Sequence, residues 1–311
     1  MGIQDIRWTR GNTQLVLDTD RRLLVPLLRQ TAVERIPLGG NVGGMAFDGT
    51  FMWVALSDGT VVKIDVATDA IAATVPVPGG LGLLAFDGFS IWGAGNNSLS
   101  KIDVATNTVV ATVSGVFEPH AVAFDGTYIW VTSLISNTVS KIDATFNFIA
   151  ATIGTGIMPI GLAFDGTYMW VANLDSSNVQ KIDIIANAVV ATVAMGGYPY
   201  ALAFDGTFVW ATILGPNRVK KIRVNTNAVV ANIAVGQEPD GIAFDGRHVW
   251  VTNANSSNVS QIDPTTNAII ANIGAGLVPY APAFDGTHLW VGVLDSRGNG
   301  SISKIPVLEL S

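Results

Sequence analysis

Cysteine is absent from all 311 residues, and histidine occurs only three times. There is thus no disulfide frame, no thiolate metal site and no thiol nucleophile, and the redox compartment stays open. Charge is sparse as well. Only 13% of the residues are Asp, Glu, Lys or Arg, and their balance is −7. An acidic chain lacks the basic stripe that phosphate backbones require, which argues against a nucleic-acid partner. Long apolar runs are also missing. Although 49% of the chain is hydrophobic, Asp, Gly, Asn and Thr interrupt the apolar residues every few positions. No segment reaches the about 18 apolar residues that cross a bilayer. The opening MGIQDIRWTR lacks a basic start followed by an apolar core, so no signal peptide is expected and the compartment is unassigned.

What the chain has is repetition. AFDG occurs seven times, with its Asp at 48, 87, 125, 165, 205, 245 and 285, and a tryptophan follows each Asp by five residues. Beyond each Trp come a KID-like stretch, a Thr-Asn-type turn and a strand such as AVVATV. The period is 38 to 40 residues. Each unit reads as four short strands with Asp-Gly at the first turn, where glycine accepts positive φ at no steric cost. A repeat near 40 residues with four strands is the signature of a propeller blade. The expected fold is therefore all-β, a seven-bladed β-propeller of four-stranded antiparallel blades. The seventh copy ends after its third strand, and TAVERIPLGG (residues 31–40) matches the missing fourth one. An N-terminal strand that closes the ring hides two sheet edges.

Residues 31–311 form the expected propeller, and residues 1–30 stand apart as an N-terminal arm. Arg7, Arg10, Arg21, Arg22 and Arg29 are half of the chain's ten arginines. The arm reads either as a packing strand or as a docking segment for a larger assembly. Residues 10–30 also align without gaps to the first copy, Gly11 on Gly49, so an eight-bladed ring with a degenerate first repeat is the alternative.

The consensus PxGxAFDGTxxWVxN…SNxVxKID…TNxVVAT, running from about Thr31 to Pro306, resembles the YVTN-type β-propeller repeat. More widely, the chain is similar to the propeller of virginiamycin B lyase, a streptogramin-opening enzyme. That resemblance implies a site on the central face with histidines, a glutamate and a magnesium ion.

Comparing the seven copies shows which end of the ring varies. The DGT and TTN-like turns at one end hardly change, as suits turn-forming residues. At the other end lie the loops leading into the first strands and those joining the second and third strands. The leading loops read FEPH, IMPI, GYPY, QEPD and LVPY. Binding residues concentrate on such loops over a rigid frame. His248 and His288 occupy a slot held elsewhere by Phe51, Tyr128, Tyr168 and Phe208, and are expected to be packing residues. His120 has no such equivalents. With Glu118 beside it, and Glu238 and Asp240 three blades on, it offers a metal-assisted lyase or hydrolase site: His120, Glu118 and Glu238 as catalytic candidates, with a divalent cation held by imidazole and oxygen ligands. The lyase-like arrangement calls for a second histidine, which no other leading loop supplies.

The same face offers Tyr198, Tyr200, Asp240 and Tyr280, with Asn173, Asp175 and Asn253 on joining loops, as a binding surface for a protein or a glycan. That non-catalytic binding or assembly role, in a surface or virion-like assembly, is the leading expectation. Lys63, Lys101, Lys141, Lys181 and Lys221, paired in KID with Asp65, Asp103, Asp143 and Asp183, read as balanced charges on outer strands.

Overall fold

The computed structural model describes residues 33–77, 81–294 and 299–307. The expected arm, residues 1–30, lies outside them, and so does the degenerate repeat. Within them the chain forms seven four-stranded antiparallel sheets in a ring. Blades are numbered here by their AFDG copy. Blade 3 shows the pattern: Pro119–Phe124 lies innermost, then Tyr128–Ser133, Thr138–Asp143 and Phe148–Gly154 outermost. Six blades are built from consecutive strands. The seventh takes its outer strand, Glu34–Pro37, from the N-terminal side, paired with Gly300–Pro306 in the register Glu34↔Lys304 and Ile36↔Ile302. The closure predicted from the missing fourth strand is what the fold uses.

The AFDG turn also fastens the core. In blade 3 the Asp125 carboxylate accepts hydrogen bonds from the backbone N–H of Thr127 and Tyr128 at 2.8 and 2.7 Å, and from Trp130 Nε1 at 2.7 Å. Gly126 has φ +96°, which only glycine adopts without strain. All seven Trp–Asp pairs form, at 2.6 to 2.8 Å. Each indole is thereby satisfied where it is fully buried. The tryptophans sit between blades, as Trp53 does against Leu84, Ile91 and Ile102 of the next blade, and removing one such ring typically costs about 3–5 kcal/mol.

The KID lysines do not form an exposed charge ladder. Lys63, Lys141, Lys181, Lys221 and Lys304 are at most 8% exposed. Each reaches into the next blade and donates to a carbonyl just after that blade's third strand: Val104, Ile184, Val224, Pro264 and Val66 respectively, at 2.5–2.8 Å. Lys101 donates likewise to Ala144 at 2.6 Å. The ammonium groups also stand 4.8–5.4 Å from a Trp ring centroid, within cation–π range. The paired aspartates do something separate: Asp103, for example, accepts from Ala105 and Thr106 N–H to fix the following turn. Blade 6 has Gln261 in the lysine slot. Blade 7, the next one round, takes its outer strand from Glu34–Pro37.

His248 and His288 behave as expected. They sit beside the turn carboxylates of their own blades, Nδ1 lying 3.5 Å from Asp245 and 3.7 Å from Asp285, at the turn end rather than at the variable face.

Candidate functional site

Every innermost strand carries an irregularity in register near its start, between Pro119 and Val122 in blade 3 and at the matching places elsewhere. A bulge leaves an N–H without a ladder partner and re-aims a side chain. In blades 3, 5 and 6 a buried threonine from the second strand takes that N–H: Thr132 accepts from Ala121, Thr212 from Ala201 and Thr252 from Gly241, at 2.8–2.9 Å. The residue just before, five ahead of the turn Asp, lines the centre of the ring. In blade order these seven are Gly43, Gly82, His120, Ile160, Tyr200, Asp240 and Tyr280. They enclose, with the strand residues below them, a cavity of about 310 Å³, within the size range of small-molecule sites.

The cavity is lopsided. Two glycines occupy blades 1 and 2, and the bulky or polar side chains occupy the rest of the circle. The reason for Gly82 is not backbone crowding: a Cβ there would meet nothing nearer than the Ala94 oxygen at 3.7 Å. At Gly161 and Gly241, by contrast, a Cβ would lie 2.3 Å from the Tyr200 oxygen and 2.1 Å from Pro282 Cδ. Those two glycines are demanded by blades in close approach, and Gly82 simply leaves room.

Four polar side chains face this space. His120 Nδ1 donates to the Ile160 carbonyl at 3.1 Å, which fixes the tautomer and leaves Nε2 as an acceptor. Burial holds its imidazole below the ordinary histidine value, partly offset by that bond, so it is neutral at pH 7. Its ring meets Tyr200 edge-on, with centroids 6.2 Å apart. Burial, aided by the Asp240 charge, pushes the Tyr200 phenol up to about 12. Tyr280 Oη accepts from Val42 N–H at 3.0 Å, across the junction of blades 7 and 1. Burial, then the charge of Glu238, pushes the Asp240 carboxyl up to about 6. Asp240 takes part in none of the ion pairs among the described residues.

The other candidates fall elsewhere. Glu118 and Glu238 are exposed on the rim and do not line the cavity. Their backbones are scaffold. Glu118 and Glu238, with φ +45° and +51°, donate their N–H to Asn97 and Asn217 of the preceding blades at 3.1 and 3.0 Å. Met158 does the same with Asn137, so the geometry belongs to the repeat. Among the described residues no three His, Asp or Glu side chains gather closely enough to hold an ion. Asn173 and Asn253 do not face the solvent either. Both are fully buried, and their amides donate within their own blades, Asn173 to Asn178 and Gln180 and Asn253 to Asn258 and Ser260. They end a strand with the side chain inward and sit where Gly156 and Gly236 leave room for them. Asp175 and Tyr198 are exposed on the variable face.

Around the mouth stand large apolar side chains that the loop comparison did not single out: Phe117, Ile135, Ile157, Leu277 and Val278, all exposed. Phe117, Ile157 and Leu277 hold one equivalent position, eight before the turn Asp. Ile135 joins them because the Leu134 N–H bonds the Glu118 carbonyl at 3.1 Å.

No family model and no curated protein matches the chain. Among solved structures, it is similar to a chain of hydrazine synthase from Kuenenia stuttgartiensis, with a TM-score of 0.73 and 17% identity over 86% of this chain and 96% of that one. At that identity the likeness is one of fold: a seven-bladed propeller.

Proposed function

We propose that the chain is a non-catalytic binding module that docks a protein partner on its variable face. The exposed apolar rim carries this reading. Phe117, Ile135 and Ile157 stand on adjacent blades, with Tyr198 on the next, and Leu277 and Val278 resume the rim beyond blade 6. Clustered apolar exposure of this kind marks an interaction surface. Glu118, Asp175 and Glu238 are interspersed, so the fitting partner presents apolar side chains with basic ones beside them. A glycan fits less well, because the amides of Asn173 and Asn253 are spent inside the blades. We read the frame as a YVTN-type repeat on the residues quoted above. Such frames host many roles, and the loops decide among them.

The reading is tested by selecting displayed random peptides against the full chain. Enriched peptides should combine apolar and basic residues, and the combined variant Phe117→Ser, Ile135→Ser, Ile157→Ser should weaken them at least tenfold. Val190→Ser on an outer strand should leave them unchanged. Enrichment no better than on an unrelated protein, or binding indifferent to the rim variant, overturns it.

A further inference from the structure

We propose that the central cavity binds a small organic cation, an ammonium group on an apolar body, with Asp240 as its counter-ion and the rings of Tyr200, Tyr280 and His120 as its walls. The inference stands on the cavity and not on the rim, so it is independent of the docking reading.

Shape is the first ground. Seven equivalent positions carry five different residue types, and the two that lack a side chain, Gly43 and Gly82, stand on adjacent blades. A Cβ at Gly82 would meet no atom nearer than 3.7 Å, so no close backbone contact demands glycine there. A cavity of about 310 Å³ holds on the order of ten water-sized groups at ~30 Å³ each. That is room for one small molecule, without sevenfold symmetry.

Charge is the second. Among the described residues the lining contains no Lys or Arg, so phosphates and carboxylates find no partner there. It contains one carboxylate, unpaired by any cation of the described residues, among Leu83, Leu84, Ile160, Leu162 and Pro282. Asp240 is only half-buried, but a charge partly withdrawn from water is costly unless something pairs it. A divalent metal would need several oxygen ligands, and one carboxylate does not supply them. A monovalent cation with its own apolar surface satisfies both the charge and the walls.

The aromatic groups are the third. Phenol and imidazole faces attract ammonium groups within about 6 Å of the ring. Tyr200 and Tyr280 remain neutral phenols at pH 7, since burial raises both. His120 is neutral for the opposite reason, since burial lowers it, and so does not repel a cation. Glu238, on the same loop as Asp240, adds negative potential at the mouth that favours cation arrival.

The test uses choline and its uncharged carbon isostere 3,3-dimethyl-1-butanol, titrated into the full chain by calorimetry and by ligand-observed NMR, with benzyltrimethylammonium as a bulkier cation. At least one cation should bind saturably, and the alcohol at least tenfold more weakly than choline. Asp240→Asn should reduce cation affinity at least tenfold, and Gly82→Leu, which fills the open side, should abolish it. The rim variant should keep it. Choline has no titratable group, so its affinity should fall as the pH drops through about 6 and Asp240 takes up a proton. The groups facing that carboxyl are Glu238 on its own loop, Tyr200 and Tyr280 on flanking strands, and His120 across the cavity. No saturable binding by either cation overturns the proposal. So does equal binding of the isostere, or an Asp240→Asn protein that folds and binds choline as before.

Discussion

Asp240→Asn should stabilise this protein while emptying its cavity of affinity, and the stabilisation should depend on pH in a defined way. The Asp240 carboxyl is raised from 3.8 to about 6 by burial and by Glu238. At 1.36 kcal/mol per pKa unit, keeping it ionised in the fold costs at most about 3 kcal/mol, and about 2 kcal/mol once water at the cavity mouth screens it. Because the folded value lies above the unfolded one, the native state holds the extra proton between the two. Stability therefore falls as pH rises from about 4 to about 6 and stays low above that. Asparagine does not titrate. The gap between variant and wild type should accordingly be small at pH 4, widen through pH 5 and 6, and level off near 2 kcal/mol by pH 7. For a ring of this size that is a shift of roughly 3–5 °C in Tm. Calorimetric scans of both proteins at pH 4, 5, 6, 7 and 8 decide it. Parallel curves across that range would refute the claim that this half-buried carboxylate is without a partner.

Three other expectations follow from the frame. Lys141→Met should destabilise by about 2–4 kcal/mol, since it removes a charged hydrogen bond to the Ile184 carbonyl and a cation over Tyr128 at 4.1 Å, and leaves that carbonyl without its donor; denaturant titration reads it, and a loss under 1 kcal/mol would return the lysine to the surface. Gly161→Ala should cost several kcal/mol because its Cβ would strike the Tyr200 backbone, whereas Gly82→Ala should fall within about 0.5 kcal/mol of wild type; equal effects would contradict the two roles assigned to these glycines. Asp125→Ala should cost about 3 kcal/mol and shift the near-ultraviolet circular dichroism of Trp130, whose N–H loses its acceptor; an unchanged spectrum and Tm would sink the turn–indole clamp.

Much of the ring was legible from residue spacing because seven copies repeat the same solution to the same packing problem. Asp, Gly and Trp at fixed offsets, and a fourth strand missing at one end and present at the other, determine blades, turns and closure. Where structure and expectation differ, one cause recurs: residue type does not determine exposure. Lysines in KID look like surface charge, yet their stems lie along an aromatic ring and their ammonium groups enter the next blade. Asn173 and Asn253 look like loop amides, yet strand alternation points them inward. Glu118 and Glu238 share a loop with cavity residues, but their side chains project to the rim, two positions before the bulge that turns the next polar group inward. His120, Tyr200, Asp240 and Tyr280 were visible because they break the repeat. Gly43 and Gly82 break it equally, but a missing side chain carries no chemistry for a sequence to display.

That asymmetry bears on how a repeat acquires a function. Positions that hold blades together are constrained by their neighbours on both sides, so Trp, its Asp and the lysine slot vary little around the ring. The one lysine slot that differs, Gln261, faces blade 7, whose outer strand comes from the N-terminal side. The seven positions at the channel face one another across open space, and the bonds two of them make to neighbouring blades, His120 to the Ile160 carbonyl and Tyr280 to the Val42 N–H, engage backbone and fix no side chain in the partner. They are free to differ, and they do, from glycine to tyrosine. A symmetric ring thus places its unconstrained positions together around one point, and the least costly way to make a site is to change a few of them. Asp240 is the exception that carries information. Glycine and isoleucine at the channel ask nothing of the fold, whereas a carboxylate without a partner among the described residues works against it, and a residue that opposes stability without serving the frame points to a functional role.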